Sequence, residues 1–191
     1  LDVAVFALDP ATDSDKPLQF LADGVSLGLS TWQKLHPQTV PIAAKAAANY
    51  LNGMVARLQA RQRGFDYALL LDSQGFIAEG GTESVFLVKD QCLLTPSTGM
   101  VLKSITRMSI LEAALKAGIE CIEKQVKPEL LAEAEEIFLS STPFKVLPVK
   151  QINDRKLPDA PGPVTRKMAE LLNAIVAGND DRFTIWLYLV D

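Results

Sequence analysis

Hydrophobic and polar positions along this chain alternate between the period of two typical of strands and the longer period typical of helices. In residues 43–63, apolar side chains recur at the i, i+3 and i+4 spacing of an amphipathic helix, and Gly64 should end it. The same reasoning predicts helices over residues 105–117 and 162–176, and a short helix beginning at Pro128. Three long helices and one short one are therefore expected.

Short apolar runs bounded by turn residues predict the strands. These runs cover residues 2–9, 24–31, 67–72, 76–79, 84–88, 92–95, 121–125, 137–140 and 146–152. The four in the middle of the chain are joined by tight polar turns, so antiparallel hairpins are expected there. The tail, residues 183–190, carries Trp186 and Tyr188 and should dock on the body. Residues 1–191 are thus predicted to form one domain of the α/β (α+β) class.

The composition of the chain excludes several classes of function. The chain has 191 residues, is 48% hydrophobic and carries a net charge of -4, which fits a domain with a sizeable core and argues against nucleic acid as a partner. No apolar run is long enough for a membrane span, and no signal peptide is recognisable, so cytoplasmic localisation is expected. Cys92, Cys121 and His36 lack the spacing of a metal site, and the cysteines are expected to be reduced and packed in strands.

Two residues point to a particular chemistry. Lys45 is the only charged residue between Gln38 and Leu51, so it can be partly desolvated and nucleophilic. Glu79 precedes a small-residue turn, where a carboxylate can hold a proton on a ring nitrogen. A pyridoxal phosphate enzyme needs both groups, one to carry the cofactor as a Schiff base and one to keep its pyridine cationic. The alternatives are a solvated lysine on a helix flank and an ordinary turn carboxylate.

Two hydroxyl-rich segments could hold an anion. The run Ser104-Ile105-Thr106-Arg107 opens a predicted helix, whose free amides form a natural anion site together with the Thr106 hydroxyl. The alternative is a plain N-cap by Ser104 or Thr106. Three successive hydroxyl residues at 140–142 end a strand, and they form either a turn or a second clamp on the same phosphate.

In order and spacing, these segments resemble the fold-type IV pyridoxal phosphate enzymes, the class IV aminotransferase family of branched-chain aminotransferases, D-amino acid transaminases and aminodeoxychorismate lyases. The family's Lys-x-x-x-Asn-Tyr-Leu context is similar to residues 45–51, and its Glu-Gly-x-x-Glu-Asn-x-Phe segment to residues 79–86. Its Gly-Ile-Thr-Arg corresponds to residues 104–107, and its strand-end Gly-Thr turn to Ser141-Thr142. The resemblance implies a mixed β pseudo-barrel flanked by helices.

The resemblance also implies roles. Lys45 would be the catalytic residue, carrying pyridoxal 5'-phosphate and shuttling the substrate proton, while Glu79 would pair with the pyridine nitrogen and Tyr50 with the phenolic oxygen. The remaining cofactor contacts would be ring packing by Leu102 and phosphate binding by Ile105, Thr106 and Thr142.

Some positions depart from the family. Ser84 replaces the usual asparagine, and Lys103-Ser104 replaces a common Pro-Gly. Pro143 removes an amide that in branched-chain enzymes lies in the turn receiving the substrate carboxylate. Family members also carry an N-terminal small domain of about a hundred residues, an ordinary domain size. The chain resembles only their C-terminal large domain, and the small domain is expected to be absent from it.

The expected function is an aminotransferase that moves an amino group between an amino acid, branched-chain-like or D, and a 2-oxo acid. One alternative is aminodeoxychorismate lyase, which uses the same lysine to eliminate pyruvate. Another is a catalytically silent domain that only binds cofactor or oligomerises. The resemblance implies a homodimer. The net charge and the lack of a long apolar run argue against nucleic acid and membrane as partners.

Overall fold

The computed structural model describes residues 23–188. Within this range the strands are β1 Val25–Leu29, β2 Tyr67–Leu71, β3 Ile77–Gly80, β4 Ser84–Lys89, β5 Cys92–Pro96, β6 Cys121–Lys124, β7 Glu136–Ser140, β8 Leu147–Ile152 and β9 Arg155–Lys156. Eight of them match predicted strands to within two residues. The predicted strand over residues 2–9 lies outside the described residues.

These strands form one mixed sheet in the order β3-β2-β1-β8-β7-β4-β5-β6, with β9 paired to β8. Both predicted hairpins, β2 with β3 and β4 with β5, are antiparallel. Strand β1 runs parallel to β2 and to β8, and β5 runs parallel to β6. The mixed sheet joins local hairpins to strands that are distant in sequence.

Between residues 23 and 188, four α-helices flank the sheet: α1 Tyr50–Gln62, α2 Ile105–Lys116, α3 Leu130–Glu133 and α4 Pro163–Val176. Two short 3-10 helices cover Ala47–Asn49 and Asp181–Trp186. None of the helices between residues 23 and 188 has the length and apolar content needed to cross a membrane. The combination of a mixed sheet and flanking helices confirms the predicted fold class.

The two faces of the sheet support separate parts of the core. Along β4, Val85 and Leu87 belong to one buried cluster, while Phe86 and Val88 belong to another, as alternation along a strand requires. Helices α2 and α4 pack in the second cluster, where the rings of Phe86 and Phe138 stack with centroids 4.8 Å apart. The face that carries α2 and α4 is therefore closed by helices.

Helix α1 packs through small residues, not through the apolar stripe that the sequence pattern predicted. Its buried residues are Gly53, Ala56 and Ala60, whereas Leu51, Met54 and Leu58 are exposed. The reason is close approach: a Cβ on Gly53 would overlap the carbonyl oxygen of Gly81. Only small side chains allow the helix to approach the neighbouring turn this closely.

The prediction that helix α1 starts at residue 43 was wrong. It begins at Tyr50, so Lys45 precedes it and does not lie on the helix. The Asn49 side-chain amide donates to the carbonyl oxygens of Pro41 and Ala44, both at 3.1 Å. These side-chain bonds stabilise a turn in place of helix, a known competition for asparagine.

The tail docks only in part. Phe183 is fully buried, and its ring centroid lies 4.6 Å from that of Trp186. Tyr188, in contrast, is 95% exposed, so the prediction that it docks was wrong. Residues 189–191 lie outside the described part of the chain. Docking of the tail thus depends on Phe183, with Trp186 packed against it.

Candidate active site

A cleft of about 440 Å³ lies between the beginning of α1, the end of β3, the beginning of α2 and the loop after β7. Six of the seven residues predicted as site residues line it: Lys45, Tyr50, Glu79, Leu102, Ile105 and Thr142. The seventh, Thr106, is adjacent, with its hydroxyl oxygen 3.5 Å from that of Thr142. The structure therefore brings together residues that are almost one hundred positions apart.

Glu79 is one of two buried acidic residues that line this cleft, the other being Glu83. Its Oε1 forms an ion pair with the ammonium of Lys34, and its Oε2 accepts a hydrogen bond of 3.3 Å from the N–H of Leu102. Burial raises the pKa of Glu79, while the charge of Lys34 and the Leu102 N–H act in the opposite direction. The carboxylate is thus held in place but poorly hydrated.

Lys45 lies in the non-helical segment just before the Ala47–Asn49 turn. Its Nζ is 5.5 Å from the centroid of the Tyr50 ring, so the amine and the phenol occupy the same part of the cleft. Because Tyr50 is the first residue of α1, the start of that helix fixes the phenol close to the lysine. Lys45 is exposed to the cleft and can be reached by a small molecule, so the partial desolvation expected from its neutral neighbours is not observed.

The turn after Glu79 is built by hydrogen bonds within itself. The Glu83 carboxylate accepts from the Thr82 N–H at 3.0 Å and from the Thr82 hydroxyl at 2.5 Å, and the Glu83 carbonyl accepts from the Gly80 N–H at 2.6 Å. Glu83 is therefore the residue that closes this turn. The close approach of Gly53 and Gly81 then fixes the turn against α1.

The beginning of α2 provides polar groups for an anion. Ser104 is the N-cap, with its hydroxyl accepting a 3.4 Å hydrogen bond from the Arg107 N–H, so the capping role is observed. Its φ of +43° lies in the region that favours glycine, the residue that the family motif has there. In the facing loop, the Ser141 hydroxyl is buried without a hydrogen-bond partner in the described chain. A hydroxyl in this state is available to a polar group that enters the cleft.

Arg107, the last residue of that motif, points away from the cleft. Its side chain is buried, donating to the Pro96 carbonyl at 2.7 Å and to the Glu123 carboxylate at 2.6 Å. The arginine therefore connects α2 to the ends of β5 and β6. Its role here is structural.

Sequence reasoning missed two cations that line the cleft, Lys34 and Arg57. The Arg57 guanidinium stacks 4.9 Å from the centroid of the Tyr67 ring. Burial of the Tyr67 phenol, together with the negative charge of Glu83, raises the pKa of Tyr67 to about 12. The seven-residue spacing from Tyr50 to Arg57 places both on one helical face and could have indicated Arg57. Lys34 lies in a loop, where no helical or strand periodicity could have indicated it.

The mixed sheet and this cleft define an α/β protein in which a lysine, a buried carboxylate and several hydroxyl side chains line one cleft. Residues 1–152 match the family described as amino-transferase class IV. The chain therefore belongs to the class IV aminotransferase family, as the resemblance predicted.

Curated relatives share its sequence over most of its length. The branched-chain-amino-acid aminotransferase of Escherichia coli (strain K12) is 34% identical over 169 residues, which are 87% of this chain and 55% of the relative. The probable branched-chain-amino-acid aminotransferase of Aquifex aeolicus is 33% identical over 167 residues, 86% of this chain and 54% of the relative. The chain thus spans a little over half the length of these relatives.

Solved structures agree with the fold. The branched-chain aminotransferase of Thermoproteus uzoniensis with norvaline has a TM-score of 0.84 at 34% identity, covering 87% of this chain and 56% of the other. The branched-chain amino acid aminotransferase of Thermobaculum terrenum, in its PLP-bound holo-form, has a TM-score of 0.84 at 33% identity, covering 86% of this chain and 55% of the other. The expected fold type IV is confirmed.

Proposed function

We propose that this chain binds pyridoxal 5'-phosphate in the cleft and supplies the catalytic lysine of an aminotransferase, which moves an amino group between an amino acid and a 2-oxo acid. The observation that carries the proposal is the meeting of Lys45, the buried Glu79 carboxylate and the anion-binding turn of α2 in one cleft. Membership of the class IV aminotransferase family supports it.

The cleft fits the cofactor in size and in polarity. A volume of about 440 Å³ falls within the usual range for cofactor sites. The unpaired Ser141 hydroxyl, beside Thr142 and the first amides of α2, offers donors to a phosphate. At the other side, the Glu79 Oε2 accepts a long hydrogen bond of 3.3 Å from the Leu102 N–H and no second one within residues 23–188, so it can still accept from a further donor. The residues present therefore suit a phosphorylated pyridine.

Each predicted site residue has a proposed part in holding this group. Glu79 accepts the pyridine N–H, and Tyr50 donates to the ring oxygen, which together set the ring orientation. The contacts proposed for the other residues are ring packing by Leu102, a phosphate amide contact by Ile105, and phosphate hydroxyl contacts by Thr106 and Thr142. In this arrangement, hydroxyls and helix amides bear the phosphate end of the cofactor.

Once bound, pyridoxal phosphate supplies an electron sink for the pair released when the substrate loses its Cα proton. Lys45 would take that proton and return it to the cofactor carbon, because its amine lies over the cleft next to Tyr50. The ionised Glu79 makes the sink effective by keeping the ring nitrogen protonated.

We propose branched-chain amino acids as the donor class, since the curated relatives cited above carry that name. We also propose that residues 1–191 form one domain, because the described strands join a single sheet. A homodimer follows from the family resemblance. A cytoplasmic location is consistent with the free thiols of Cys92 and Cys121.

The test is a chemical trapping experiment on this chain. We would incubate it with pyridoxal phosphate, reduce with borohydride and locate the added mass by peptide mass spectrometry. The parent and a matched Lys103→Ala variant should carry the cofactor on Lys45, and Lys45→Ala should carry none. Lys103 is the control because it is exposed two residues from the helix start but does not line the cleft. Labelling spread over surface lysines would contradict the proposal.

The reaction type is tested separately. Addition of a branched-chain amino acid to the loaded chain should change its visible spectrum, and a 2-oxo acid should reverse the change. A lyase would release pyruvate from aminodeoxychorismate with no acceptor present. Stable cofactor binding with neither reaction would favour the catalytically silent alternative.

A further inference from the structure

We propose that Lys34 is a positioning residue that keeps the Glu79 carboxylate ionised and fixes which of its oxygens faces the pyridine nitrogen. The inference rests on the proposed function, because it assigns Glu79 to that nitrogen. Lys34 lies beyond the end of β1, in a loop that none of the site motifs includes.

The backbone around Lys34 is anchored on two sides. The Lys34 N–H donates to the Leu71 carbonyl at the end of β2, at 2.7 Å. The preceding Gln33 carbonyl accepts from the Asn52 side chain of α1, also at 2.7 Å. The lysine is therefore attached to the strand beside β3 and to the helix that carries Tyr50. These contacts with β2 and α1 hold the Lys34 backbone where its ammonium can reach Glu79.

The environment makes this ion pair important for the charge of Glu79. The side chains of Lys34 and Glu79 are only 11% and 9% exposed, and a buried carboxylate without a counterion tends to take up a proton. Glu83 adds negative charge from the neighbouring turn, which favours protonation, while the Leu102 N–H opposes it. Lys45 and Arg57 also line the cleft, but within residues 23–188 only Lys34 forms an ion pair with Glu79.

The two carboxylate oxygens have different partners. Lys34 pairs with Oε1, whereas among the described residues Oε2 receives only the long Leu102 hydrogen bond. Leu102 is the residue proposed to pack on the pyridine ring, so Oε2 is the oxygen on the ring side. By holding Oε1, Lys34 prevents rotation of the carboxylate and leaves Oε2 available to the ring N–H. A protonated Glu79 could not accept that bond in the same way.

The first test needs no cofactor. The side-chain carboxyl of Glu79 is followed by ¹³C NMR across pH in the parent chain, with Glu79→Gln to assign the signal. In Lys34→Met, which keeps the length but not the charge, the midpoint should rise by at least about one pH unit, equivalent to a tenfold change in proton affinity. Lys34→Arg should return it towards the parent value, and Lys103→Met serves as the matched control. If Lys34→Met does not fold, Lys34→Gln replaces it.

The second test uses the cofactor. Pyridoxal phosphate affinity is measured by equilibrium dialysis about one pH unit below and about one pH unit above the Glu79 midpoint that the NMR titration of Lys34→Met gives. Lys34→Met should lose about tenfold or more at the lower pH and clearly less at the higher pH, with Lys34→Arg restoring binding.

An unchanged Glu79 midpoint, or an affinity loss that is the same at every pH, would show that the pair is only structural and would overturn the inference. Failure of the parent to bind cofactor would instead count against the proposed function, since the NMR titration is independent of it.

Discussion

Adding one methyl group at Gly53 should disturb both the stability and the site of this protein. Helix α1 passes the turn after β3 so closely that a Cβ at this position would overlap the Gly81 carbonyl oxygen and lie 2.9 Å from its carbonyl carbon. Both contacts are with backbone, which cannot rotate away. Gly53→Ala therefore forces the helix and the turn apart by about 1 Å.

Two opposing terms set the size of the effect. Alanine in a helix interior is favoured over glycine by about 1 kcal/mol, which alone would stabilise the variant. Overpacking a buried contact costs about 1–3 kcal/mol and more when backbone must move. Because the Cβ would overlap a backbone oxygen, the upper part of that cost applies, and a net loss of about 1–2 kcal/mol in unfolding free energy is expected.

The assay is urea denaturation followed by circular dichroism, together with pyridoxal phosphate affinity. Affinity should fall as well, because Gly81 lies two residues after Glu79 in the same turn. Met54→Ala is the matched control: it lies on the same helix but is 62% exposed, so its unfolding free energy should stay within about 0.5 kcal/mol of the parent. A Gly53→Ala variant as stable as the parent would refute the reasoning.

Three further substitutions have defined outcomes. The pKa of Tyr67 is about 12 in the folded state and about 10 in the unfolded state, so the folded state keeps the phenol proton to higher pH. The free energy of unfolding should therefore fall by about 2–3 kcal/mol between those pH values. In urea titrations Tyr67→Phe should lose that decline, and an unchanged decline would contradict the argument. Glu136 accepts hydrogen bonds of 2.9 and 2.7 Å from N–H groups in the first turn of α4. Glu136→Gln should therefore reduce the free energy of unfolding by about 1–2 kcal/mol and lower the melting temperature. An equal melting temperature would be evidence against this cap. Ser104→Gly should raise the free energy of unfolding by about 1 kcal/mol, because it relieves a φ of +43° while loss of the cap to glycine costs only a few tenths of a kcal/mol. Chemical denaturation measures the change, and a destabilised variant would mean that the cap outweighs the strain.

Most of the sheet could be predicted because its signals are local. The hairpin of β4 and β5 follows from two apolar runs around a polar turn, and the structure has Leu87 opposite Leu94 as such a hairpin requires. The order of the site motifs could also be read, since Lys45, Glu79 and Thr142 each stand beside a turn or an element end. Their meeting in one cleft was implied by family resemblance and not by any local rule.

The beginning of α1 could not be predicted from propensity. Residues 43–48 are all exposed, so the alanines gain nothing from packing as a helix, and two hydrogen bonds from Asn49 favour a turn. Similarly, the burial of small residues in α1 depends on the turn at Gly81, which is distant in sequence. Lys34 was missed because its function depends on a partner that is far away along the chain, and a loop lysine carries no periodic signal.

The position of β8 has a consequence for how the protein is made. Among the described strands, β8 lies between the group β3-β2-β1 and the group β7-β4-β5-β6, which also meet through a single bridge between Ile77 and Val126. The first group supports Lys34 and Glu79, and the second leads to Ile105 and Thr142. On the ribosome, both groups emerge before residues 147–152 can connect them, and such long-range pairing is slow. Acquisition of cofactor affinity should thus be a late event in biogenesis, because a nascent chain truncated before β8 contains the residues of both groups without the strand that lies between them.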